Sequence, residues 1–275
     1  MSKKSVGIFL LVLCSHNLFG FRPDDFGPGD DLKKMSALLH SSPPLAAIKW
    51  MDSLYDHLRL SEKGLSEEAW HQACIGYQYL KERNLIKRKN ILTICDYSQS
   101  SMNRRFYVID IEHSKLLFQT WVAHGRNSGG EFASRFSNKT ESFQSSLGFM
   151  KTSETYQGGN GYSLRLDGLE PGINSNIRKR DIVIHGSSYV SRARASNHQM
   201  MGRSFGCPAL PEKQAASIID CIKAGTCFFV YSDDNQYRSS SGILSADLLW
   251  SGLVASADST RQAADSTFIS SAQVK

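Results

Sequence analysis

The sequence predicts an α+β protein dominated by strands, with few helices and a small helical hairpin ahead of its β-rich part. Three observations point to this class. Residues 42–86 carry apolar side chains at helical spacing. From residue 90 the pattern changes to short β-branched and aromatic runs divided by Gly, Asn and Ser. Within that region residues 211–224 keep an apolar face at i, i+3, i+4 and i+7. The chain has 275 residues, which suits one large domain or two small ones. Its 41% hydrophobic and 21% charged residues are a globular composition and exclude disorder of the whole chain. No apolar run reaches the roughly 18 residues of a membrane span, so a multi-span protein is excluded too.

Taken in order, residues 1–20 read as an export signal. Lys3 and Lys4 precede the apolar run Val6 to Cys14, polar residues follow, and Gly20 offers a cleavage point. Residues 21–41 mix Pro, Gly and Asp and read as a linker. Residues 42–89 form the hairpin. Its first helix starts at Ser42-Pro43-Pro44 and buries Leu45, Ile48, Met51 or Asp52, Tyr55 and Leu58. Its second opens at Ser66-Glu67-Glu68, where acids suit the positive helix end, and lines Ala69, Trp70, Ala73, Tyr77 and Leu80 on one face. The catalytic-type domain spans 90–232. Strands are expected at 91–97, 105–112, 115–123, 146–152, 162–166, 181–186 and 227–231, and Gly225 stops the helix of 211–224. After Ser232 the chain turns Ser- and Ala-rich, and 233–275 are expected to be a poorly ordered tail.

The formal charge is +6, and loss of residues 1–20 removes two lysines and no acid, leaving +4. That excess is too small and too evenly spread to argue for nucleic acid as a partner. Cys14 would leave with the signal. Cys74, Cys95, Cys221 and Cys227 are open to two readings, buried free thiols or two bridges in an oxidising compartment.

The sharpest local feature is Gly202-Arg203-Ser204-Phe205-Gly206-Cys207-Pro208. Glycine before a cysteine lets the backbone approach a substrate closely, and the N–H groups of Gly206 and Cys207 are candidate oxyanion donors. A thiolate is the nucleophile in cysteine chemistry, so a basic partner is needed. His185 ends the apolar run Asp181-Ile182-Val183-Ile184, sits beside Gly186, and lies 22 residues before Cys207. His124 is a second histidine at a strand end, read as a surface imidazole in preference to a pocket residue. There is no HExxH, CxxC or His-x-His pair, so no metal site is expected, and no cofactor. Neither GxGxxG nor a Walker loop occurs, and Gly158-Gly159-Asn160-Gly161 is a turn without a following helix.

Ile184-His185-Gly186 followed by Ser204-Phe205-Gly206-Cys207 resembles the signature of L,D-transpeptidases with the YkuD-like catalytic domain, and more narrowly the murein L,D-transpeptidase catalytic domain family. Other blocks match that branch: Val122-Ala123-His124-Gly125, Phe136-Ser137-Asn138, Ser145-Ser146-Leu147-Gly148-Phe149, Tyr162 to Leu169, and Tyr189-Val190-Ser191. The resemblance implies β-sandwich-like mixed sheets and an exported enzyme of the periplasm or cell wall, acting on peptidoglycan stem peptides. It implies that Cys207 attacks the third stem residue, usually diaminopimelate, at its L-centre carbonyl and expels D-alanine. A second stem's amine then resolves the thioester as a 3–3 cross-link. His185 would be the base and the Gly186 carbonyl would orient its ring.

Two departures stand out. Most of the wider family has His where this chain has Phe205, and Pro208-Ala209-Leu210-Pro211 replaces the usual residues after the nucleophile. Arg203 or Arg165 is a candidate for the carboxylate clamp that this leaves open, with a structural ion pair as the alternative for each. Rival functions are an L,D-carboxypeptidase, which uses water as acceptor, and a non-catalytic murein-binding module.

Overall fold

The computed structural model describes residues 45–245. The signal segment, the linker, residues 42–44 of the hairpin and residues 246–275 of the tail lie outside the described residues. Two helices come first, α1 (Leu45–His57) and α2 (Glu67–Glu82). The Ser66 hydroxyl caps α2 by accepting from the Ala69 N–H at 3.1 Å, as its Ser-Glu-Glu opening leads one to expect. Trp70 of α2 is buried, and its indole N–H donates to the Met51 carbonyl of α1 at 3.1 Å. The pair therefore closes as a hairpin.

Eight strands follow: β1 (Ile91–Asp96), β2 (Phe106–Asp110), β3 (Lys115–Thr120), β4 (Gly148–Gly158), β5 (Gly161–Gly168), β6 (Val183–Ser187), β7 (Ala209–Pro211) and β8 (Cys227–Tyr231). They form one mixed sheet in the order β3-β2-β1-β8-β4-β5-β6-β7. Pairing is antiparallel except at β1–β8 and β6–β7. Every residue of β1, β2 and β8 is buried, which is why these strands read as continuous apolar runs without alternation. Helix α2 covers the sheet at Phe149. A Cβ on Gly76 would lie 1.9 Å from the Phe149 ring, so glycine is what lets the helix approach this closely. Phe149 in turn stacks on Phe229, with centroids 4.2 Å apart.

The outer strand β7 gains one further partner. Beyond β3 the chain runs to Ala123, whose N–H donates to the Ala209 carbonyl of β7 at 2.9 Å. Gly125 bridges to Ser204 in the same region. This junction places residues 123–126 alongside the segment that leads into β7.

Among the described residues three further helices are α3 (Arg192–Ser196), α4 (Glu212–Ile222) and α5 (Asn235–Ser240). Helix α4 buries Ala215, Ile218, Ile219 and Ile222, the face read from the sequence. The segment expected to be an ordered domain's loose tail differs in its first part. Asp234 caps α5, and Tyr237, Ile243 and Leu244 are buried against the domain. Strand β4 runs six residues past the expected end, and Gly159-Asn160 form the two-residue turn of the β4–β5 hairpin. No helix of the described residues is long and apolar enough to cross a membrane.

Candidate active site

The site forms where β6 meets the short strand β7. His185 of β6 pairs with Ala209 of β7 in parallel register. Cys207 stands two residues before Ala209 and therefore beside Val183. The Val183 N–H accordingly points at the Cys207 sulfur at 3.5 Å, and the thiol donates to the Asp181 carbonyl at 3.7 Å. The strand that bears His185 thus also presents a backbone dipole to the cysteine.

The His185 ring is buried, and its Nδ1 lies 2.9 Å from the Gly186 carbonyl. A carbonyl only accepts, so Nδ1 carries the proton and Nε2 keeps its lone pair. Nε2 takes no protein hydrogen bond among the described residues. Burial lowers the His185 pKa below its ordinary value, with the Gly186 carbonyl acting the other way. The ring is therefore a neutral base near pH 7.

Burial pushes the Cys207 thiol up, while the Val183 N–H and the Arg180 guanidinium pull it down. Burial dominates, so the resting group is a thiol. His185 is not among the groups that hold the thiol down. The sulfur hydrogen-bonds Val183 and Asp181, and its cationic neighbour is Arg180. Proton transfer from neutral thiol to neutral imidazole would then accompany attack, as in general-base catalysis.

The loop before Cys207 is fixed by Ser204. Its hydroxyl donates to the Cys207 carbonyl at 2.6 Å and accepts from the Gly206 N–H at 3.0 Å. The Gly206 N–H, a candidate oxyanion donor, is engaged by Ser204 in this structure. Ser204 likewise braces the loop. Gly206 has φ +126°, a conformation reserved for glycine, and a Cβ there would meet Gln144 O and Ile182 Cδ1 at 2.8 Å each. Its carbonyl accepts from the Ser145 hydroxyl at 3.1 Å.

His124 is buried below this loop and has a different job. Its carbonyl accepts from the Ser204 N–H at 3.0 Å. Its Nδ1 faces the Arg105 guanidinium at 2.8 Å. Burial first, and Arg105 second, lower its pKa to about 4. The reading of His124 as a surface imidazole is corrected to a buried neutral brace.

Neither arginine considered as a clamp is free. Arg203 donates to the carbonyls of Arg126 and Gly129 at 3.2 and 2.8 Å. Arg165 pairs with Asp181 at 3.1 Å and Glu154 at 3.6 Å. Sequence reasoning missed two other arginines. Arg105 is wholly buried, donates to Gln99 O and Val122 O, and lies 4.8 Å from the Tyr97 ring centroid. Arg180 donates to Ser137 O, Ser146 Oγ, Ser142 Oγ and Gln144 O. It belongs to the basic run Arg178-Lys179-Arg180, and nothing in a three-residue charge cluster marks which member turns inward. Among the described residues Cys95, Cys221 and Cys227 are free thiols, and Cys74, Cys95 and Cys227 are buried. Among the described residues no group of three His, Cys, Asp or Glu side chains could share a metal ion.

The fold and site define a strand-dominated α+β domain with a Gly-preceded cysteine beside the strand that bears His185. The chain belongs to the L,D-transpeptidase catalytic domain family, whose model matches residues 61–231, more than half its length. Among solved structures it is similar to an L,D-transpeptidase from Mycobacterium smegmatis, at 13% identity over 52% of this chain and 59% of that one, with a TM-score of 0.33. It is also similar to the helical cell shape determining protein Pgp2 from Campylobacter jejuni, at 12% identity over 65% and 61% of the two chains, TM-score 0.36. An L,D-transpeptidase from Stackebrandtia nassauensis matches at 13% identity over 67% and 77%, TM-score 0.32. The chain spans about three fifths of the length of the first two. Comparison with curated proteins returned no match.

Proposed function

We propose that the protein is a peptidoglycan L,D-transpeptidase that forms 3–3 cross-links between stem peptides through a thioester on Cys207. One observation carries the reading: β6 and β7 pair so that Cys207 stands beside the strand bearing His185, whose Nδ1 is committed to Gly186 while Nε2 keeps its lone pair. Family membership supports the same reading. His185 takes the thiol proton as sulfur attacks the carbonyl of the third stem residue, and returns it to the departing D-alanine amine. The amine of a second stem then attacks the thioester, with His185 again accepting a proton. The Cys207 N–H, which has no protein acceptor among the described residues, is the donor available to the developing oxyanion. The mature enzyme acts outside the cytoplasm, in the periplasm or cell wall, after removal of the export signal read at residues 1–20.

Incubation with purified tetrapeptide muropeptides and mass analysis tests this. Cross-linked dimers are expected. Tripeptides alone identify a carboxypeptidase, and unchanged substrate identifies a binding module. Cys207→Ala should abolish acyl-enzyme formation with the fold intact.

A further inference from the structure

We propose that Arg126 binds a carboxylate of the donor stem peptide beside Cys207, held for that purpose over the rings of Phe143 and Phe205. The inference rests on the reading of Cys207 as the nucleophile. The Arg126 guanidinium carbon lies 4.2 Å from the Phe143 centroid and 4.6 Å from the Phe205 centroid, and the two rings are themselves 5.1 Å apart. The cation therefore caps a pair of rings.

Four features make this a built arrangement. The Arg126 backbone is fixed to the nucleophile loop, because its N–H donates to Ser204 O at 2.8 Å and its carbonyl accepts from Arg203. Phe205 is two residues from Cys207 and 64% exposed, so it does little for the core and presents its ring to the cation. Phe143 has φ +53°, in the left-handed region that an aromatic residue rarely adopts, and this conformation carries its ring into the cluster. The Arg126 guanidinium has no hydrogen bond or ion pair to protein among the described residues. By contrast Arg165 and Arg178 are tied to acids, Arg105 and Arg180 are tied to carbonyls, and Arg203 is tied to loop backbone.

The consequence is chemical. Cation–π contact fixes the plane of the guanidinium and leaves its N–H edge for a ligand. That edge matches a carboxylate, which it grips through two parallel hydrogen bonds. The rings restrict the side chain before substrate arrives, so less freedom is lost on binding. A tetrapeptide stem offers two carboxylates near the scissile bond, that of the terminal D-alanine and that on the side chain of the third residue. Either supplies the chemistry. Phe205, which stands where most of the wider family has His, becomes part of the clamp in this chain.

The test measures D-alanine (or D-alanine amide) release by the full mature chain. Three tetrapeptides are compared: native, amidated at the terminal carboxylate, and amidated at the third residue's side-chain carboxylate. Arg126→Gln should raise KM on the native stem about 10- to 100-fold, as expected for loss of a charge-assisted bidentate contact, and leave kcat within a few-fold. Phe205→Leu should raise KM less. The Arg126→Gln penalty should vanish on one amidated stem, which identifies the carboxylate. An equal penalty on all three stems, or an unchanged KM, overturns the clamp. Binding of the same stems to Cys207→Ala chains, with Arg126 intact or replaced by Gln, reads the clamp without turnover. If wild type releases nothing while this binding still depends on Arg126 and one carboxylate, the catalytic reading fails and the clamp stands. If turnover occurs but binding ignores Arg126, the clamp alone fails.

Discussion

The Val183 N–H lies 3.5 Å from the Cys207 sulfur, on the strand that carries His185 two residues later. A single backbone register therefore sets both the dipole that favours thiolate and the position of His185, the proposed base. Arg180 adds a cation, yet burial outweighs all of them and holds the proton on sulfur at rest.

The first prediction follows from that balance. The rate of alkylation of Cys207 by iodoacetamide should rise with pH to a midpoint above the ordinary thiol value of about 8.5. Arg180→Gln should move the midpoint higher still, and Arg180→Lys should restore part of the shift. A wild-type midpoint well below the ordinary value would mean a preformed thiolate–imidazolium pair and would reverse the description of the resting site.

The second prediction separates the two histidines. His185→Ala should cost on the order of 10²–10⁴-fold in rate, the usual range for a positioned acid–base group. His124→Asn keeps an acceptor for Arg105 and should stay within about 10-fold. Initial rates of D-alanine release decide it; a crippled His124→Asn enzyme with normal thermal stability would transfer the base role to His124.

Much of this arrangement is legible in the sequence. The apolar runs of β1, β2, β6 and β8, the face of α4 and the Ser66 cap all follow from periodicity and end signals. The Cys207 and His185 motifs stand out as local patterns. What stays hidden is made by tertiary pairing. Strand β7 is three residues long and bounded by Pro208 and Pro211, which argue against a strand from sequence; it survives at the end of the sheet order, where proline is tolerated. The outer part of β4, Ser153 to Gly158, is half-exposed and shows no apolar alternation. Arg105 is buried and Arg180 half-buried by partners that are mostly carbonyl groups, which leave no mark in composition. Tyr237 is bound inward by Glu170, 67 residues away, so its segment reads as tail.

A third prediction concerns acid sensitivity. The His124 pKa is lowered to about 4 from 6.5. Between those values the unfolded chain binds a proton that the folded chain refuses. The stabilisation is complete above about 6.5 and is lost as pH falls toward 4. The loss is on the order of 3 kcal/mol if His124 alone sets it. Denaturant midpoints across this range should fall on acidification for wild type and fall less for His124→Asn. Parallel curves for the two chains would show that His124 does not titrate on unfolding.

A fourth prediction concerns the glycine before the nucleophile. Gly206→Ala places a Cβ 2.8 Å from both Gln144 O and Ile182 Cδ1, at φ +126°. Backbone strain of this kind costs about 1–3 kcal/mol before the clash is counted. The loop must shift to relieve it, and the shift moves Cys207 away from Val183. The variant should lose stability and nearly all acyl-enzyme formation together. A variant with wild-type acylation would show that the loop tolerates movement at its tightest point.

The last prediction concerns Glu170, which anchors the C-terminal segment. One carboxylate oxygen accepts from the Phe149 N–H at 2.7 Å and the Tyr237 hydroxyl at 3.1 Å, and the other accepts from the Ser241 hydroxyl. Burial raises its pKa above 4.5 in spite of these bonds. The folded chain therefore holds this proton more tightly than the unfolded chain. As pH rises from the ordinary carboxylate value through the raised one, the contribution of this group to stability declines, because folding must then bury a charge. Glu170→Gln removes the charge and keeps the geometry. Its amide oxygen can accept from Phe149 and Tyr237, and its NH₂ can donate to the Ser241 oxygen once that hydroxyl rotates. The variant should match wild type within about 1 kcal/mol at neutral pH and show a flatter pH dependence across the window. Glu170→Leu should lose about 1–3 kcal/mol for each buried donor it orphans, the Phe149 N–H above all. Thermal unfolding of the three chains at several pH values checks this. A Glu170→Gln chain as damaged as Glu170→Leu would mean that the ionised carboxylate itself holds the segment containing Tyr237 and Ser241 against the sheet.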